Sequence, residues 1–278
     1  MSGTEAKTSS KKSGRIWDIL LVLALCVFVF STYKFISTEM RYRAEKAEFE
    51  RLAAQAAAAE EAAMKAAQAQ AKNDAAAAAA LSGGVSKYQD FYDENEDFIG
   101  WVKIYDNTVN YPVMYTPDDY DYYLHLDFNR KWSSSGTPFI GEGCDVDSRS
   151  FVIHGHNLRN GSMFAELEKY RKEEYWEEHQ EVYFNTMDED HVYRIFAAVD
   201  TTVDKSSGRF FEFYTRVGDL SDEKLASYVE ELRSRALYDT GVEVDCADPD
   251  TQILVLSTCS YTAHDGRFLV AAVLEKPE

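Results

Sequence analysis

Four cysteines and six histidines are the residues of this 278-residue chain best suited to nucleophilic and proton-transfer chemistry. The cysteines are Cys26, Cys144, Cys246 and Cys259, with no CxxC pair, and no histidines cluster at zinc spacing. A structural metal is therefore not expected, and nothing in the sequence calls for a cofactor. Cys26 lies in an apolar run, so at most Cys144 and Cys246 could pair, and the sequence leaves open whether they do. Cys259 closes the apolar run "ILVLSTC". It is either a packed core thiol or a nucleophile, and a nucleophile needs a neighbouring base or cation, because a thiol of pKa about 8.5 is mostly protonated at neutral pH.

Six imidazoles could supply the base. His125, His179 and His191 lie in polar or charged stretches that suit a solvated surface, while His264 sits in a polar loop five residues after Cys259. His154 and His156 flank Gly155 in "SFVIHGHN", directly after an apolar stretch. Strand alternation there sets Phe151, Ile153 and Gly155 on one face and Val152, His154 and His156 on the other, and the glycine favours a turn that projects His156 from a strand end. The candidate cation is Arg267, which follows Gly266 at the start of "GRFLVAAVL". On pattern alone it is either a surface residue or an inward partner of Cys259, where its planar donors could stabilise an oxyanion.

The elements that must position these residues begin after a long N-terminal region. "IWDILLVLALCVFVFSTY", residues 16–33, carries one charge, Asp18, and is about long enough to span a bilayer. No small-residue cleavage site follows, so an uncleaved anchor over 16–36 is expected rather than a signal peptide. Lys7, Lys11, Lys12 and Arg15 precede it and Lys34, Arg41 and Arg43 follow, a modest bias toward a cytoplasmic N-terminus over residues 1–15. Residues 37–84 are alanine-rich, with i,i+4 pairs such as Arg41 with Glu45 and Glu61 with Lys65, and read as a solvated helical stalk. "SGG" at 82–84 marks the boundary of a globular domain over 85–278.

In that domain the patterning predicts helices over 86–95, 163–170 and 221–237. The last presents Leu225, Tyr228, Val229, Leu232 and Ala236 on one face behind Ser221 as N-cap. Strands are predicted over 98–104, 111–115, 136–140, 150–154, 181–186, 192–199, 251–258 and 266–274. Many short strands with inserted helices point to a mainly β, closed or nearly closed barrel. A net charge of -19 gives no basic face for phosphates, so nucleic acid is not an expected partner.

Taken together, "LSTCSY", "IHGHN" and "GRFLV" resemble the cysteine, histidine and arginine motifs of sortases, in the same order along the chain. "YDENEDFIGWVKIYDNTVNYPVMYTPDDYDYYLHLDFN" and "GHNLRNGSMFAELEKY" resemble class B sortases more specifically, and the likeness covers nearly all of 86–276. The resemblance implies a sortase-like closed β-barrel and a cysteine transpeptidase with Cys259 as nucleophile, His156 as general acid and base, and Arg267 as oxyanion or substrate contact. Ser257, Thr258, Ser260 and Tyr261 would border the substrate, with the amide of Ser260 available to an oxyanion. His154 stands where many members have an aromatic residue. The implied substrates are secreted surface proteins carrying an NPxTx or LPxTx-like sorting signal, and the implied acceptor is a cell-wall peptide amine. A pilin lysine as acceptor, hydrolysis by a cysteine peptidase and a non-enzymatic stalked binding module remain open alternatives.

Overall fold

The computed structural model describes residues 10–73, 86–106 and 109–276. The "SGG" boundary and residues 1–9 lie outside the described residues. The chain divides into two units, Met1–Ala47 and Glu48–Glu278. Helix α1, Ser10–Asn73, supplies all that is described of the first. There Ile19, Leu23, Val27 and Phe30 are exposed, and one 18-residue window reaches a mean hydropathy of 2.4 with none of it buried. An apolar helix with no protein covering it is compatible with a single-pass anchor.

The second unit corrects one expectation. Over residues 48–60 α1 is not a solvated stalk: Phe49, Leu52 and Ala56 are buried in the main core, while residues 61–66 are exposed. Their spacing of three and four places them on one helical stripe, which the surrounding alanines disguise in the sequence. Phe49 meets Tyr111 edge-on at 5.3 Å between ring centroids. Tyr88 donates its hydroxyl to Glu60 at 2.9 Å, and Asn129 donates to Glu48 at 3.1 Å.

Eight strands follow: β1 Phe98–Lys103, β2 Asn110–Met114, β3 Phe139–Ile140, β4 Ser150–His154, β5 Glu181–Thr186, β6 Asp190–Thr202, β7 Ile253–Ser260 and β8 Gly266–Leu274. They close a barrel in the order β1-β2-β3-β4-β7-β8-β6-β5. Closure leaves no sheet edge and gives each strand an inner and an outer face. Helix α2 (Gln89–Glu94) precedes β1, and α3 (Glu173–Glu178) and α4 (Asp222–Arg235) are inserted between strands. Residues 163–170, expected as a short helix, form a 3-10 helix over Phe164–Arg171. Ser221 does occupy the N-cap of α4, but its side chain makes no capping bond.

Alternation sorts the core into two layers. Phe151, Ile153, Leu254, Leu256, Phe268 and Val270 fill the barrel interior. Val152, Ile253, Val255, Leu269 and Ala271 point outward, where Leu225, Tyr228, Val229 and Leu232 of α4 cover them. The face predicted for the helix is thus the one that packs.

Candidate active site

The site lies on the outer face, where β4, β7 and β8 run past the cover of α4. Continuing the outward set of Val152, Val255 and Leu269 by two residues along each strand gives His154, Ser257 and Arg267, and Cys259 is one step further. All of them line a cavity of about 420 Å³ with His156, roofed by Phe213 and Val217 from the segment between β6 and α4.

Register brings the reactive groups together. Cys259 is directly opposite Arg267 in the antiparallel β7–β8 pair, so their Cβ atoms are neighbours at about 4.5–5.5 Å. Cys259 is part of β7, not of the loop after it. Gly266 makes the return possible: a Cβ there would lie 2.5 Å from the Ser260 carbonyl oxygen. Arg267 donates to the carbonyl of Gly266 at 3.0 Å, within reach of its own backbone.

His156 sits just beyond β4, on a turn sewn to the end of β7. Gly155 N–H donates to the Ser257 carbonyl at 3.0 Å, Thr258 Oγ1 donates to the Gly155 carbonyl at 2.7 Å, and Asn157 Nδ2 donates to the Cys259 carbonyl at 2.8 Å. Gly155 is required by close approach, because a Cβ there would meet the Phe164 ring at 2.6 Å. His156 Nε2 lies 2.9 Å from the Leu124 carbonyl. A carbonyl only accepts, so Nε2 carries a proton and Nδ1 is left as the free base. Burial lowers the His156 pKa, the Leu124 contact opposes this, and His125 lowers it further. His125 stacks on His156 with centroids 5.6 Å apart. His154 is distinct from its neighbour: burial, and then the charge of Arg267, lower its pKa to about 4. It is therefore a neutral wall group packed against Phe139 at 5.5 Å.

The other thiols differ from Cys259. Cys144 is buried, donates to the Gly141 carbonyl at 3.4 Å and has its pKa pushed up to about 11 by that burial. Cys246 is free as well, so these two do not form a disulfide here.

The structure therefore gathers Cys259, His156, Arg267, Ser257 and Thr258 at one cavity. Ser257 is 2% exposed and its hydroxyl is a buried polar atom with no hydrogen-bond partner. Ser260 turns its hydroxyl away, to Arg171, and Tyr261 is 67% exposed with its hydroxyl on the Asn157 carbonyl; neither lines the cavity. His264 is exposed beside Asp265 at 3.3 Å. Three contributors escaped sequence reasoning: His125, the Leu124 carbonyl and the roof at Phe213 and Val217. The aromatic run "FFEFY" outside any predicted element was the available signal for the roof.

A family model described as the sortase domain matches residues 136–275. Sortase B of Listeria monocytogenes is 28% identical over 173 residues, which is 62% of this chain and 66%, just under two thirds, of that protein. Sortase B of Staphylococcus aureus is 23% identical over 266 residues, 94% of this chain and 98% of that one. The fold matches the Staphylococcus aureus sortase B-substrate complex with a TM-score of 0.66 at 23% identity, covering 86% of this chain and 100% of that one. With the barrel and the ordered motifs already in place, these matches mean that the chain belongs to the sortase family of cysteine transpeptidases, among the class B sortases.

Proposed function

We propose that the chain is anchored by α1 with its N-terminus cytoplasmic and its barrel outside the membrane, and that it joins sorting-signal proteins to a cell-wall peptide amine. The observation that carries the reading is the pairing of Cys259 with Arg267 in a cavity that His156 also lines.

In this reading the signal, NPxTx or LPxTx-like, lies along the cavity with its threonine carbonyl at Cys259. The thiol proton passes to His156 Nδ1 as the sulfur attacks, forming the S–C bond. Arg267 donates to the developing oxyanion, a role its fixed charge suits. The C–N bond after threonine then breaks, and His156 returns the proton to the departing amine, leaving a thioester. The acceptor amine attacks the thioester, its proton goes to the Cys259 sulfur by way of His156, and the new amide is released. Ser257, whose hydroxyl is buried without a partner, forms part of the cavity lining against which the signal lies. Thr258 shapes the wall through its bond to Gly155. Ser260 contributes its amide, and Tyr261 borders the approach.

The full chain in detergent, incubated with sorting-signal peptides and either a cell-wall peptide amine or a pilin lysine peptide, tests the reading. Amine-dependent ligation with the cell-wall acceptor is expected. Preference for the pilin lysine would move the assignment to pilus assembly, and release of acid unaffected by any amine would make the chain a peptidase.

A further inference from the structure

On the opposite face of the strand end that carries Cys259 lies a polar network that touches no part of the cavity. Its centre is Arg171, the last residue of the 3-10 helix Phe164–Arg171. The guanidinium donates through Nε to Glu168, through Nη1 to Asp200 of β6 at 2.8 Å and through Nη2 to the Ser260 hydroxyl at 2.9 Å. Its plane lies over the Phe268 ring at 4.7 Å. Asp200 also accepts from Thr262 Oγ1 at 3.0 Å and from Arg209 at 3.1 Å, and the Ser260 and Thr262 hydroxyls are 3.0 Å apart. One side chain thus ties a helix end, β6 and the end of β7, and through Asp200 and Ser260 the network reaches Thr262 in the β7–β8 turn.

We propose that Arg171 is a positioning residue for transpeptidation, holding the β7 end so that Cys259 presents its sulfur to the cavity. Cys259 stands between two anchored neighbours. Thr258 is bonded to Gly155 on the histidine turn, and Ser260 to Arg171. With both neighbours fixed, the backbone angles of Cys259, and hence the direction of its Cβ–Sγ bond, have little freedom. Arginine suits the task because its rigid planar fork reaches three acceptors at once, which an ammonium on a flexible stem cannot match in geometry.

The charges of Arg171 and Asp200 stay fixed across the working range. Burial would lower the Arg171 pKa, but the hydrogen bonds to Asp200 and Glu168 outweigh it and raise the value. Burial would raise the Asp200 pKa, yet the hydrogen bonds from Arg171 and Thr262 hold it below the usual carboxylate range. The network therefore acts as a brace and not as a pH switch.

The proposal rests on Cys259 being the nucleophile, so the experiment reads the two separately. The full chain in detergent is compared with Cys259→Ala, Arg171→Met, Arg171→Lys, Ser260→Ala and Arg171→Met/Ser260→Ala. Steady-state kinetics with a fluorogenic sorting-signal peptide are measured beside the iodoacetamide alkylation rate of Cys259, followed by peptide mapping. Arg171→Met is expected to lower kcat about 10- to 100-fold with KM within about twofold, the scale of a small misplacement of a reacting group. The Cys259 alkylation rate changes severalfold, Arg171→Lys recovers only part of kcat, and the double variant is no worse than the worse single one. A folded Arg171→Met with kcat and alkylation within about twofold of the parent, or fully additive losses, would overturn the brace. If Arg171→Met does not fold, Ser260→Ala decides: reduced kcat at unchanged KM supports the link, and unchanged kcat overturns it. Peptide turnover surviving in Cys259→Ala contradicts the nucleophile assignment instead, whatever Arg171 does.

Discussion

The two faces of β7 and β8 are built from the same two short runs of residues, eight and nine long, and yet do different work. Inward, Leu254, Leu256, Phe268 and Val270 are fully buried and hold the barrel together. Outward, the pattern is equally apolar at Ile253, Val255 and Leu269, until α4 ends its cover and the same register presents Ser257, Cys259 and Arg267. A reactive site here needs no special backbone; it needs the cover to stop before the strand does. Substitutions on the outer end should therefore cost activity, and substitutions on the inner face should cost stability.

The largest expected separation is at the cysteines. Cys259→Ala should abolish transpeptidation, a loss of about 10³-fold or more, as for removal of a nucleophile elsewhere. Cys144→Ala, at a buried thiol with no access to the cavity, should leave the rate within about twofold, as read by peptide ligation under the same conditions. Arg267→Met should lower kcat by about 10²-fold or more if it faces the oxyanion, since one lost donor costs that much. An Arg267→Met enzyme with only KM raised would move this residue to substrate binding.

On the inner face, Leu256→Ala should cost about 2–5 kcal/mol of unfolding free energy, read by urea titration, with kcat little changed in the folded fraction. Leu52→Ala tests whether α1 beyond Glu48 belongs to that same core. A cost of about 2 kcal/mol or more is expected from the cavity it would leave, whereas a free stalk would lose almost nothing.

His154 sharpens the comparison by pH. Its folded pKa of about 4 lies below its ordinary value of 6.5, so the unfolded chain takes up a proton first as pH falls. Its contribution to stability is complete above about 6.5, declines between about 6.5 and 4, and is gone below. His154→Phe should flatten that acid-side decline in unfolding midpoints measured from pH 7 to 4, and identical slopes would show that its burial does not matter. The smallest effect is expected at His125. His125→Phe removes a neighbour that depresses His156, so the limb of the pH–kcat profile set by His156 should move upward.

Local pattern carried much of this in the sequence. The period-two stretch at 150–154, the amphipathic face of α4 and the unbroken apolar run at the N-terminus each report on their own neighbourhood. The ordered motifs added the pairing of a histidine turn with Cys259 across a separation that no periodicity spans. What escaped was decided by contacts between distant segments. Phe49, Leu52 and Ala56 become a docking stripe only because the barrel offers them a surface. His125 looked solvated because nothing local shows that its ring lies on His156. Ser260, placed beside the substrate by adjacency to Cys259, turns to the other face by the same alternation that aims Cys259 at the cavity.

The account stands or falls on which atom carries the acyl group. Intact-mass analysis of the full chain, quenched in acid during turnover of a sorting-signal peptide, should show an adduct equal to the peptide truncated after threonine. Peptide mapping should place that adduct on Cys259, and added amine should discharge it. An adduct on another residue, or turnover with no covalent intermediate in the parent and undiminished in Cys259→Ala, would contradict it.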